Sequence, residues 1–146
     1  MLGIIQAATS AFQWVKILEL ASGEAYAAAL QKLETLPAQH VRQFEFSLLR
    51  GVLQLQTRRF ALAKETFKAL EARLPKLEKY SRADRAYFNA FLRLCIRDTL
   101  EALGEDASSY SRRDFRSVDL QKVTPGVRSN FPLRGHPDWD YNEDIG

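Results

Sequence analysis

The stretch that most limits how this chain can fold is residues 44–75, FEFSLLRGVLQLQTRRFALAKETFKALEARLP. An apolar-periodic helix with an internal Gly51 runs into a short basic turn at Arg58-Arg59, and a second periodic helix is closed by Pro75. Two amphipathic helices joined so tightly fold back on one another. A single hairpin of this size leaves apolar surface uncovered, so it must stack on neighbours.

The rest of the chain supplies those neighbours. Of 146 residues, enough for one hydrophobic core, the first hundred or so show helical spacing throughout and no two-residue alternation. Five helices are expected, over about residues 4–20, 24–36, 39–56, 61–74 and 82–103. Ala21-Ser22-Gly23 ends the first and Pro37 stops the second, while Ser81, with Asp84 three residues on, marks the start of the fifth. The second has Tyr26, Leu30 and Leu33 on one face, and the fourth should bury Leu62, Ala63, Phe67, Leu70 and Leu74. An all-α body over residues 1–104 follows. Residues 105–146 form a mostly non-helical C-terminal tail with Pro125, Pro132 and Pro137, yet it also carries Phe115, Phe131, Trp139 and Tyr141. Disordered segments are poor in such groups, so this tail is expected to pack on the body or on a partner.

Residues 44–75 resemble a tetratricopeptide repeat, a helix-turn-helix unit with small and aromatic residues at fixed spacings. Gly51, Phe60, Ala63, Phe67 and Pro75 carry the resemblance. Upstream, AYAAALQKLETLP echoes the second half of such a unit through Tyr26, Ala29, Leu33 and Pro37. The first helix departs from the pattern: its large positions would fall at Ser47, Arg50 and Gln54, one residue away from the apolar Phe46, Leu49 and Leu53. The resemblance implies antiparallel helical hairpins stacked in a short array, and a protein-binding role.

Chemistry-bearing motifs are sparse. His40 and His136 lie far apart, no glycine-rich phosphate loop occurs, and no serine sits in a nucleophile elbow. Cys95, the one cysteine, lies in the apolar stretch FLRLCIR, as a packed thiol would. Asp138, Asp140, Glu143 and Asp144 beside His136 do not match a calcium loop. No catalytic residue, metal site or cofactor is therefore assigned, and a non-enzymatic, cytoplasmic protein is expected. The uncharged first fifteen residues lack both a basic leader region and the length of a transmembrane span.

Charge is more informative. Residues 1–104 carry +5 and residues 105–146 carry −2, and from His136 onward there are four acids and no Lys or Arg. Within the fifth helix Arg85, Asn89, Arg93 and Arg97 recur every four residues, with Arg82 one turn earlier, making a narrow polar stripe on an otherwise apolar helix. Arginine pairs bidentately with carboxylates, so the stripe is a candidate acceptor of acidic segments. Some tetratricopeptide domains hold acidic peptide ends in comparable grooves. The expected function is an interaction adaptor, scaffold or structural subunit. Its contacts are the stripe (Arg82, Arg85, Asn89, Arg93, Arg97) and a C-terminal acidic-aromatic segment (Asp138, Trp139, Asp140, Tyr141) that lies on the body as an internal ligand or reaches a neighbouring subunit. The partner is a protein, another copy included. A basic subunit of a nucleoprotein complex, suggested by a pI of about 9.1, and a membrane-associated scaffold are the alternatives.

Overall fold

The computed structural model describes residues 2–110 and 118–131, with side chains from Ala11 onward. It is all-α, with no strand among the described residues. Helices α1 (Leu2–Ser22), α2 (Tyr26–Glu34), α3 (Ala38–Val41), α4 (Phe44–Gln56) and α5 (Phe60–Arg73) follow one another through short turns. A 3₁₀ turn at Leu74–Lys76 then leads to α6 (Arg82–Ala102), and past the loop a 3₁₀ turn at Leu120–Lys122 precedes α7 (Pro125–Asn130). The chain forms two compact units, Met1–Thr66 and Phe67–Gly146, so the division falls inside α5.

In the first unit α1 packs on α2 and α2 on α4. Ile17, Ala29, Leu30, Leu33, Leu48 and Leu53 are fully buried, and Trp14 stacks at a tilt on Phe46, ring centres 4.7 Å apart. The turns close by a shared device. Ala25 N–H reaches back to Leu20 O (2.9 Å) and Arg59 N–H to Gln54 O (2.8 Å), each around a residue with positive φ, Glu24 at 63° and Arg58 at 65°. This is the Schellman cap, which usually places glycine at that residue. The glycine expected to stop α1, Gly23, stands one position too early, and Glu24 takes the left-handed conformation at a steric cost of about 1–2 kcal/mol.

Two further departures from the sequence expectation have clear causes. The helix expected over residues 39–56 is broken at Arg42-Gln43, where Gln43 is extended (φ −63°, ψ 143°). The break is stabilised by the hydroxyl of Ser47, which donates to Val41 O at 2.5 Å, and it lets Phe44 open a fresh helix fully buried. Leu62, expected inside, is 48% exposed, because it lies about 100° around α5 from the buried Ala63.

The off-pattern polar residues of α4 are also accounted for. Ser47 and Gln54 are buried, as are Phe46, Leu49 and Leu53, so α4 is enclosed on more than one side. Gln54 Oε1 accepts the Thr66 hydroxyl at 2.7 Å, which satisfies both groups. Arg50 Nε is enclosed with no hydrogen-bond partner among the described residues.

The second unit is organised around α6. Ser81 caps it, its hydroxyl accepting from Asp84 N–H at 3.1 Å, and Gly104 (φ 72°) ends it with Glu105 N–H on Leu100 O at 2.9 Å. Eleven of its residues are buried, among them Tyr87, Phe88, Phe91, Leu92 and Cys95. The described part of the C-terminal segment lies along it as a strap: Val123, Val127 and Phe131, four residues apart, are all buried. Phe131 meets the rings of Phe88 and Phe91 edge-on (5.8 and 5.7 Å), and Tyr87 donates its hydroxyl to Phe131 O. Asp84 does not reach back to the N-cap as a capping box would require. Its carboxylate instead accepts Thr124 N–H (2.7 Å) and Thr124 Oγ1 (2.6 Å), which fixes the residue before α7.

A candidate interaction face on helix α6

Helix geometry alone gathers the predicted stripe. At 100° per residue Arg82, Arg85, Asn89, Arg93 and Arg97 fall within a sector of about 120° and extend along roughly 22 Å of the helix. In the first turns this sector meets solvent at Arg82 and Asn89, whereas Ile96 and Leu100, which share it farther along the helix, are buried.

The structure divides the stripe into two halves. At the C-terminal half the cations are engaged. Arg93 Nη1 lies 3.7 Å from Glu71 Oε2, its Nη2 donates to Ser109 O at 2.5 Å, and its guanidinium sits 4.6 Å from the centre of the Tyr110 ring. Lys68 approaches the same ring (5.3 Å) and donates to the Tyr110 hydroxyl at 2.6 Å and to Glu71 at 3.1 Å. The hydroxyl in turn donates to Glu71 Oε1 at 3.3 Å. The hydrogen bonds to Tyr110 and then to Glu71 raise the Lys68 ammonium above its ordinary pKa, outweighing its slight burial. Arg97 Nε stands 3.3 Å from Glu101 Oε1 one helical turn on, an ion pair by distance in which the buried Nε makes no hydrogen bond to the described residues.

The N-terminal half is open. Arg82 and Asn89 are exposed and Arg85 is half-buried, and none of the three has a hydrogen-bond or ion-pair partner among the described residues. Two arginines in the first turns of a helix also sit at the positive end of its dipole, where cations are disfavoured. Their only close acid along the helix, Asp84, turns its carboxylate to Thr124. The result is concentrated positive potential with forked donors, suited to a carboxylate or another oxyanion.

Of the predicted site residues, then, Arg82, Arg85 and Asn89 remain together as a face without partners among the described residues, while Arg93 and Arg97 belong to the internal bonding of the unit. Asp138, Trp139, Asp140 and Tyr141 lie outside the described residues. The cluster of Lys68, Glu71 and Tyr110 was not anticipated; the only sequence signal is one aromatic residue in the polar loop after α6. Cys95 is 2% exposed, and burial, aided by Asp98, pushes its thiol well above the ordinary range. No group of three His, Cys, Asp or Glu side chains suited to a metal occurs among the described residues. Nor is any described helix long and apolar enough to cross a membrane. No protein-family model, curated protein or solved structure matches the chain.

Proposed function

We propose that this chain is a non-catalytic protein-protein interaction adaptor or structural subunit, built as a short tetratricopeptide-like array, and that the N-terminal half of α6 binds an acidic segment of its partner. One observation carries the reading: on a single helix two arginines are engaged by Glu71, Ser109, Tyr110 and Glu101, while Arg82 and Arg85, at the positive helix end, have no partner among the described residues. The buried, hydrogen-bonded polar face of α4 supports the stacked-repeat reading, since both sides of that helix are covered. A carboxylate pair on Arg82 and Arg85, with the Asn89 amide donating beside it, is the bonding the face offers.

The test is fluorescence anisotropy with an acidic peptide lacking aromatic residues, titrated with the full chain and with R82E/R85E. Loss of at least tenfold in affinity on charge reversal is expected. The helix should tolerate the change, because glutamate is favoured in a first turn. Equal binding by both proteins removes the face from consideration. If a single-stranded oligonucleotide binds more tightly than the peptide, with affinity falling steeply in salt, the chain is a nucleoprotein subunit instead.

A further inference from the structure

We infer that the open face of α6 is occupied in cis by this chain's own acidic-aromatic segment around Asp138–Asp144, which masks it until a partner competes. The inference rests on the interaction reading above and names the first ligand of that face.

Charge and reach argue for it together. Residues 136–146 hold four acids and no Lys or Arg, the complement of an arginine pair that has no partner among the described residues. The start of the leash is fixed on the same helix: Phe131 is 2% exposed, with its ring against Phe88 and Phe91 and its carbonyl on Tyr87. From there to Asp138 an extended chain spans up to about 23 Å, while Arg82 to Asn89 covers only about 10 Å of helix. Phe88 and Phe91 lie roughly opposite the stripe on α6, and half-way round a helix about 11 Å across is about 17 Å, which that span still covers. Trp139 and Tyr141 alternate with Asp138 and Asp140, so each carboxylate has an aromatic neighbour able to lie on a guanidinium plane.

Tethering decides between this segment and a free one. A tether this short in sequence gives an effective concentration of about 1 mM, so a segment of intrinsic Kd about 0.1 mM would be roughly 90% bound in cis and would weaken any competitor about tenfold. Steering by opposite charge also makes the occupancy sensitive to salt.

A labelled peptide of residues 136–146 provides the readout. It is titrated into the full chain, into the full chain with D138N/D140N/E143Q/D144N, and into that neutralised chain carrying R82E/R85E. The expected result is binding about tenfold tighter to the neutralised chain than to the native one, abolished by R82E/R85E. Equal affinity for native and neutralised chains, still lost on R82E/R85E, overturns the cis occupancy while leaving the face a binding site. Failure of this peptide where the non-aromatic acidic peptide binds the face also overturns the inference and spares the function. Binding indifferent to R82E/R85E, with the arginines elsewhere in the chain as acceptors, overturns both. Masking that disappears when the native chain is diluted to nanomolar concentration assigns the segment to a second copy, and the cis proposal fails.

Discussion

The two compact units reach stability by different routes. The first closes helices on one another through periodic apolar contacts and tight turns, and its buried Gln54 finds a partner near in sequence, Thr66. The second wraps one long helix with a strap whose fastenings span about forty residues: Asp84 to Thr124, Tyr87 to Phe131, Lys68 to Tyr110. Local periodicity suffices to build the first, whereas the second depends on a few polar latches and one aromatic plug.

The sharpest way to break that contrast is F131A. Removing a ring buried against Phe88 and Phe91 should cost about 3–5 kcal/mol. The loss should appear as faster thiol labelling of Cys95, the buried reporter of the second unit, with little change at Trp14, read by fluorescence in a W139F background. A parallel change at Trp14 would show that the units do not unfold independently. D84A should cost about 2–3 kcal/mol, since two hydrogen bonds to a carboxylate are lost and Thr124 N–H is left unmatched; urea melts read by Cys95 labelling would measure it. In the first unit T66V should cost only about 1–2 kcal/mol, the penalty of leaving the buried Gln54 oxygen unpaired, seen as a lower urea midpoint at Trp14. The smallest effect has the opposite sign. R58G should raise stability by about 0.5–1 kcal/mol by relieving the left-handed arginine, whereas G104A at the matching cap of α6 should lower it by about 1 kcal/mol. Thermal melts of the pair would show whether the first unit holds strain where the second has glycine.

The same contrast explains what the sequence disclosed. Periodicity revealed the all-α class, the approximate limits of α1, α2, α5 and α6, and the Ser81 cap, because each depends on neighbours within a few residues. The break at Arg42-Gln43 carried no proline or glycine; the Ser47 hydroxyl closes it, and a serine there looks like any helical serine. The left-handed residues were hidden for a similar reason, since glutamate and arginine do not advertise positive φ. In the candidate site, spacing aligned the five stripe residues but gave no sign that Arg93 was already engaged. Glu71, Ser109 and Tyr110 come to Arg93 through tertiary packing, whereas the Glu101 partner of Arg97 stands four residues on in the same helix and was there to be read. Asp84 was legible as part of a helix start, while its bond to Thr124, forty residues away, was not.

Asp84 also bears on the order in which the chain acquires its structure. Its amide belongs to a contact three residues long, with Ser81, and its carboxylate to one forty residues long. Closing the longer loop costs about 3 kcal/mol of chain entropy before any bond is gained, so the strap docks after α6 has formed. If the local cap forms before the barrier, S81A slows refolding in stopped-flow measurements. T124A should leave refolding nearly unchanged and hasten unfolding. One side chain thus records two moments of folding, an early one in its backbone and a late one in its carboxylate.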